Sequence, residues 1–113
     1  MVDTAAIIRT ITAAVEVKAE WARSFDTTIN LVVRGRDGGD WTIKLTGERP
    51  AVISGSREAD CVIQLDSDIL ADIWRRKVNP QRAWLEGRIQ VSGDGIAALK
   101  FVDILEGALD SSS

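Results

Sequence analysis

The residue types best suited to chemistry in this chain of 113 residues are a single cysteine and several clustered aspartates. The sequence contains no histidine. It therefore lacks the usual general base for serine and cysteine nucleophiles, and it lacks the commonest zinc ligand. Cys61 alternates with Val62 in a β-prone run whose flanking residues belong to a predicted core face. This pattern predicts an inert buried thiol and not a nucleophile.

Carboxylates cluster at two places, and each cluster has a structural explanation. Asp66, Asp68 and Asp72 lie near the start of a predicted helix, where capping and the helix dipole favour negative charge. Segment 37–40, Asp-Gly-Gly-Asp, lacks the regular oxygen spacing and closing glutamate of a calcium loop, so a hairpin turn explains it better. Segment 93–95, Gly-Asp-Gly, precedes a predicted helix but is too short for a phosphate loop. We predict neither enzymatic activity nor a metal or other cofactor.

Tryptophan is the unusual residue type, since the chain has four tryptophans and no tyrosine. A domain of this size could bury all four as plain core. Alternatively, Trp41 from a predicted strand and Trp74 and Trp84 from predicted helices wall an apolar cavity. The basic run at 75–77, Arg-Arg-Lys, suits the C-terminal end of a helix, and the same cations could attract an anionic head group or a membrane surface.

Composition indicates one globular domain over residues 1–113, with 45% apolar and 27% charged residues. The net charge of −3 argues against nucleic acid as a partner. One cysteine allows no internal disulfide, and we find neither a signal peptide nor an apolar run long enough to span a membrane, so we expect a cytoplasmic protein. The polar end at 110–113 is expected to be a disordered tail.

The first half of the chain changes from a helical period to a period of two. Apolar residues recur at helical spacing from about Asp3 to Arg23, which predicts one amphipathic helix. Alternating runs near 29–34 and 40–45 predict two antiparallel strands joined by a tight turn at 36–39. Runs at 51–53 and 61–65 add two strands, and we expect the four to form a meander. One sheet face should lie in the core, and the other, with Thr42, Lys44 and Gln64, should meet water.

In the second half, helical periods surround one more strand. A short helix from Asp66 or Ser67 should end at the basic run, and a second should begin at 79–80, Asn-Pro, and stop at Gly87. Segment 88–92 predicts a fifth strand. A final helix at about 96–109 should present Leu99, Val102 and Leu105 on its apolar side, with Phe101 beside them. The predicted class is α+β, with the order α-ββββ-αα-β-α and helices covering one face of the sheet.

Three successive segments carry a resemblance to a known family. They are 39–45, 59–65 and 79–94, which contain an Ala-Asp-Cys strand, an Asn-Pro-Gln-x-Ala helix start and a Gly-Arg-Ile-x-Val-x-Gly strand. From about Leu31 to Leu105 the chain resembles the sterol carrier protein type 2 family. The resemblance implies a five-stranded, mostly antiparallel sheet with helices on one face and a hydrophobic tunnel between the two layers.

The same resemblance implies a function and a set of lining residues. Such a tunnel takes fatty acids, acyl-coenzyme A, sterols or other apolar molecules without reacting with them. Two departures from the animal carriers, a shorter connection at 46–50 and the missing peroxisomal tail, argue against a sterol as the natural ligand and are equally compatible with a bacterial-type stand-alone or regulatory member. A fatty-acyl chain is the first expectation. Carried over to this chain, the lipid-binding residues are Leu31, Val33, Trp41, Ile43, Ile63, Leu70, Ile73, Trp74, Trp84, Phe101 and Leu105.

We therefore predict non-enzymatic binding or transfer of a small apolar ligand, a fatty acid or related lipid, with transient contact to a membrane surface. The alternative is a protein-interaction or accessory module that uses the same fold with a filled core and an exposed apolar patch. The sequence leaves the oligomeric state open.

Overall fold

Asp3 starts the first helix by capping it. Its carboxylate accepts a hydrogen bond from the backbone N–H of Ala6 at 2.7 Å, which satisfies one of the donors that a helix start leaves free. The computed structural model describes residues 3–112, and side chains through residue 110. The elements in chain order are α1 (Thr4–Val17), α2 (Ala19–Ser24), β1 (Thr28–Arg34), β2 (Gly39–Lys44), β3 (Ala51–Ser54), β4 (Cys61–Asp66), α3 (Ser67–Trp74), α4 (Pro80–Leu85), β5 (Ile89–Gly93) and α5 (Gly95–Ser112).

The predicted first helix, residues 3–23, is two helices in the structure. Lys18 separates α1 from α2 because its backbone leaves the helical conformation, with φ −108° and ψ 53°. Its ammonium group donates a hydrogen bond to the carbonyl of Gly107 at 3.2 Å and lies 4.9 Å from the centre of the Trp21 ring. These contacts join the start of α2 to α5.

The five strands form one sheet in the order β3-β2-β1-β4-β5. The pairs β1–β2, β2–β3 and β4–β5 are antiparallel, as expected, whereas β1 and β4 are parallel. The predicted four-stranded meander is therefore wrong: β4 pairs with the central strand β1 and not with β3. The α+β class and the mostly antiparallel sheet are confirmed.

A buried polar group explains the path of the chain from β3 to β4. The side-chain amide of Asn30 donates to the carbonyl of Arg57 at 2.5 Å, and its oxygen accepts from the N–H of Arg57 at 3.2 Å and from the Thr42 hydroxyl at 2.8 Å. Segment 55–58 thus crosses the sheet face opposite the helices. Thr42, predicted to meet water, is buried beneath this crossing at 1% exposure.

Asp60, in the Ala-Asp-Cys motif, joins three strands at one end of the sheet. Its carboxylate accepts hydrogen bonds from the hydroxyl of Thr27 at 3.1 Å and the N–H of Thr28 at 2.9 Å. Its own N–H donates to the carbonyl of Thr28 at 2.8 Å, and its carbonyl accepts from the N–H of Asp94 at 3.0 Å. The motif therefore aligns the starts of β1 and β4 with the end of β5.

The last helix buries part of the predicted face, since Phe101 and Leu105 are 5% and 3% exposed, but the buried face also includes residues that were not predicted. Its fully covered residues include the alanines at 97 and 108, at 0% exposure, together with Phe101 and Ile104. Leu99, predicted to be core, is 47% exposed, and Val102 is half-buried. Small residues face the core because α5 packs closely against α1 and the sheet. The helix continues through Ser112, beyond its predicted end and into the segment expected to be a tail, and Ser113 lies outside the described residues.

Candidate ligand-binding site

An apolar cavity lies over β4 and β5, between these strands and helices α3, α4 and α5. Gln81 is the one lining residue with a polar side chain. The other twelve lining residues are apolar and come from all five elements or the residues next to them. They are Ile63, Leu65, Ile73, Pro80, Trp84, Ile89, Val91, Ala98, Leu99, Phe101, Val102 and Leu105.

Sheet register brings two pairs of these side chains together. Ile63 of β4 lies opposite Val91 of β5, and Leu65 lies opposite Ile89, so all four line the floor of the cavity. The roof begins at α4. Asn79 starts this helix, because its side-chain oxygen accepts hydrogen bonds from the first free backbone N–H groups, at 2.9 and 3.1 Å. The predicted Asn-Pro helix start is confirmed.

Five of the eleven residues predicted to bind lipid line this cavity. They are Ile63, Ile73, Trp84, Phe101 and Leu105. The other six lie elsewhere on the helix-covered side of the sheet: four are buried in the core, and two tryptophans pack on its edge. The core residues are Leu31, Val33, Ile43 and Leu70, and the tryptophans are Trp41 and Trp74.

The structure also adds residues that the sequence did not single out. Ile89 and Val91 alternate within the predicted fifth strand, which marks them as one face, but only the pairing with β4 places that face in the cavity. The remaining additions are Leu65, Pro80, Gln81, Ala98, Leu99 and Val102. Two of these, Leu99 and Val102, were predicted as the core side of the last helix. They are apolar because they face the cavity.

The free volume of the cavity is small, about 40 Å³. A single water molecule requires roughly 10–15 Å³, and sites for drug-sized ligands enclose roughly 300–1,000 Å³. The cavity as described therefore has room for a few water molecules and not for an acyl chain. An acyl ligand requires the walls to separate.

Helix α4 is the wall that is held least firmly. It has six residues, of which only Ala83 is buried, while Trp84 and Leu85 are 43% and 86% exposed. The facing helix α5 is fixed on its other side, since the Lys100 ammonium donates to the carbonyl of Phe25 at 2.8 Å. Few buried contacts make local displacement inexpensive. Widening of the cavity is therefore expected at α4.

A second cleft of about 230 Å³ adjoins the first along α5. The two share Ile73, Pro80, Val102 and Leu105 as lining residues. The cleft is more polar than the cavity, because Asn79 and the charged residues Arg76 and Glu106 also line it, together with Val78 and Leu109. The apolar cavity thus adjoins a cleft that has charged groups at its border.

Cys61 is buried in the sheet, as predicted, and does not line the cavity. Burial raises the pKa of its thiol to about 11, and the nearby carboxylates of Asp94 and Asp60 add to this increase. The thiol is therefore protonated at neutral pH and has the character of a small apolar side chain.

Within residues 3–112 there is no cluster of three or more potential metal ligands. No helix in that range is long and apolar enough to cross a membrane.

Known proteins match this chain over most of its length. The model of the SCP-2 sterol transfer family matches residues 8–106. Hydroxysteroid dehydrogenase-like protein 2 of Xenopus laevis is 30% identical over 91 residues, which cover 79% of this chain and 22% of that protein. The chain therefore spans about a fifth of the length of this relative.

Solved structures agree in fold. Sterol carrier protein 2 of Yarrowia lipolytica, in its apo form, superposes with a TM-score of 0.79 at 21% identity, covering 93% of this chain and 91% of that one. Palmitated SCP2L2 of Aedes aegypti superposes with a TM-score of 0.71 at 18% identity, covering 92% and 95%. The family match over most of the sequence, together with this shared fold, identifies the chain as a member of the SCP-2 sterol transfer family.

Proposed function

We propose that this protein binds a single-chain lipid, foremost a fatty-acyl chain, non-covalently in the cavity over β4 and β5. Family and fold support lipid or sterol binding or transfer in general. The observation that carries the narrower proposal is the wall itself, twelve of whose thirteen residues are apolar. Removing an acyl chain from water provides the driving force, at roughly 25 cal/mol per Å² of apolar surface.

Opening of α4 couples binding to a change of shape. The closed cavity of about 40 Å³ excludes an acyl chain, so the ligand binds a more open state in which α4 moves away from β5. Because this helix buries only Ala83, the free-energy cost of opening is small compared with that of moving α5. The palmitated SCP2L2 of Aedes aegypti shares this fold, which supports an acyl chain as the ligand.

Transient contact with a membrane surface belongs to the same proposal. Trp84 and Leu99 are exposed and line the cavity. The exposed residues Leu85 and Ile96 lie next to Trp84 and three residues from Leu99 along the chain, respectively, and we call these four residues the apolar rim. Ile96 and Leu99 are three residues apart on α5 and so share one face of the helix. Tryptophan beside aliphatic side chains suits the boundary between head groups and acyl chains. The rim would place the mouth of the cavity against the bilayer.

A second candidate function is an accessory or protein-interaction module with a filled core. The small free volume of the cavity favours this reading, because a packed interior needs no ligand. This chain spans about a fifth of the length of its Xenopus laevis relative. That ratio is consistent with a module that acts as one part of a longer protein. The two functions differ in whether an apolar ligand occupies the interior. The cytoplasmic location stays a prediction.

The test begins with protein purified without detergent. Native mass spectrometry and organic extraction should find a co-purifying lipid, and titration with palmitate should change the tryptophan fluorescence to saturation. Trp84→Phe should remove most of that change, since Trp84 lines the cavity, whereas Trp41→Phe should retain it. Absence of both a lipid and a saturable response would overturn the carrier proposal in favour of the module. Loss of the signal in Trp41→Phe alone would place the ligand elsewhere.

A further inference from the structure

We infer that Arg76 binds the anionic head group of the ligand, in the cleft that adjoins the apolar cavity. The ligand class is then an amphiphile with one acyl chain and a carboxylate or phosphate head, and not a neutral sterol or alcohol. This inference rests on the proposed function, because it assigns the second half of the same ligand. It assigns a residue to the head group and a chemical class to the ligand, neither of which follows from the apolar wall of the cavity.

The cleft and the cavity lie side by side along α5. Both contain Ile73, Pro80, Val102 and Leu105 in their walls. Together they form a site that extends along α5 from Ala98 to Leu109, a separation of eleven residues, which at the helical rise corresponds to roughly 16 Å. Its cavity end is apolar, and its cleft end has charged groups at the border. An elongated amphiphile matches this gradient of polarity, whereas a uniformly apolar ligand does not.

Arg76 occupies a backbone position that favours glycine. It follows the last turn of α3 with φ +62°, in the left-handed region that most side chains avoid, and its N–H donates to the carbonyl of Ile73 at 3.0 Å. Glycine would end the helix there without the steric cost. An arginine at this position therefore places a guanidinium at the border of the cleft at some expense to the backbone.

The charge of Arg76 is only loosely engaged by the carboxylate of Asp110. A guanidinium nitrogen lies 3.8 Å from an oxygen of Asp110, beyond hydrogen-bond distance, and the two side chains are 63% and 76% exposed. Such exposed pairs contribute little to stability. A ligand carboxylate or phosphate could replace Asp110 and form a bidentate pair with the guanidinium.

Other charged residues near the cleft also attract or repel an anionic head group. Glu106 also lines the cleft and repels an anion, while Arg75 and Lys77 flank Arg76 in sequence and attract one. A test must therefore distinguish specific binding of the head group by Arg76 from general electrostatic attraction by the basic run at 75–77. Lys77 is the matched control, because it is equally cationic and exposed but does not line the cleft.

Calorimetric titration with palmitate, hexadecyl phosphate and hexadecanol tests the inference on the full chain. Arg76→Gln should weaken palmitate binding by about tenfold or more, as expected for a lost hydrogen bond to a charged group, and leave hexadecanol unchanged. Asp110→Asn should strengthen palmitate binding, and Lys77→Gln should leave it unchanged. Hexadecyl phosphate, compared with palmitate, distinguishes phosphate from carboxylate as the preferred head group.

The outcomes separate this inference from the proposed function. If palmitate and hexadecanol both bind but Arg76→Gln changes neither, or if it and Lys77→Gln weaken palmitate equally, then Arg76 is not the head-group site and the cavity proposal stands. If neither ligand binds the wild-type protein, both proposals are overturned. Circular dichroism of each variant verifies that the fold is retained.

Discussion

The indole ring of Trp21 packs directly against Gly107, leaving no space on α5 for a side chain at that position. A Cβ built there would lie 2.7 Å from one ring carbon and closer still to another. Gly107→Ala should therefore destabilise the protein by roughly 1–3 kcal/mol through overpacking. The effect is opposite in sign to helix propensity, which favours alanine over glycine by about 1 kcal/mol.

Urea unfolding of Gly107→Ala, measured beside Gly95→Ala, checks this contact. Gly95 begins α5 and has no neighbouring heavy atom within 4 Å of an added Cβ, so its replacement should leave stability unchanged or raise it. A Gly107→Ala variant as stable as Gly95→Ala would mean that Trp21 does not hold α2 against α5.

Thr42 supports the crossing of the chain over the open sheet face. Its hydroxyl lies 2.8 Å from both the side-chain oxygen of Asn30 and the carbonyl of Gly55. The hydroxyl has one proton and can donate to only one of these oxygens at a time. Thr42→Val keeps the side-chain shape but removes that one buried hydrogen bond, which should cost roughly 1–3 kcal/mol in the free energy of unfolding. Ser92→Ala, exposed on the same face, should change stability by less than about 0.5 kcal/mol. Equal effects in denaturant unfolding would contradict a buried network.

Cys61 should make stability depend on pH at the alkaline end. Burial raises the pKa of its thiol from 9.0 to about 11. The unfolded chain therefore releases the proton first, so the thiol's contribution to stability is complete below pH 9 and is lost as the pH rises through 11. We expect unfolding free energies to fall over this range by up to roughly 2–3 kcal/mol more in the wild type than in Cys61→Ala. Parallel curves for the two proteins would refute a buried thiol.

The apolar rim should matter for ligand delivery and not for affinity. Leu85→Glu places a charge on the rim outside the cavity lining, so it should slow transfer of a fluorescent fatty acid from phospholipid vesicles several-fold and leave solution affinity unchanged. Val17→Glu is the control, because Val17 at the end of α1 is equally exposed, 84% against 86%. Equal transfer rates for both variants would remove the rim from the mechanism.

Local signals predicted the elements of this fold, and long-range pairing decided their arrangement. The helix start at Asn79 and the hairpin between β1 and β2 depend on residues close in sequence, and both were predicted. The pairing of β1 with β4 joins residues about thirty positions apart. It depends on Asn30 and Thr42 beneath the crossing segment, which alternation alone marks as solvent-facing.

The site was predicted in part for the same reason. Trp84 and Ile73 follow from the family resemblance, whereas Val91 requires the β4–β5 register. Along α5, large apolar residues suggested the core face. The structure places alanines there and turns Leu99 and Val102 toward the cavity. Phe101 and Leu105 are buried as predicted, so the sequence located part of this face and missed the alanines beside it.

The most direct test of the central claim is calorimetric titration of palmitate against two matched valine variants. Val102 and Val52 are both half-buried, but only Val102 lines the cavity. Val102→Phe should fill the space needed by an acyl chain and weaken palmitate binding at least tenfold, while Val52→Phe should bind as the wild type does. Undiminished binding by a folded Val102→Phe protein would contradict the placement of the ligand over β4 and β5.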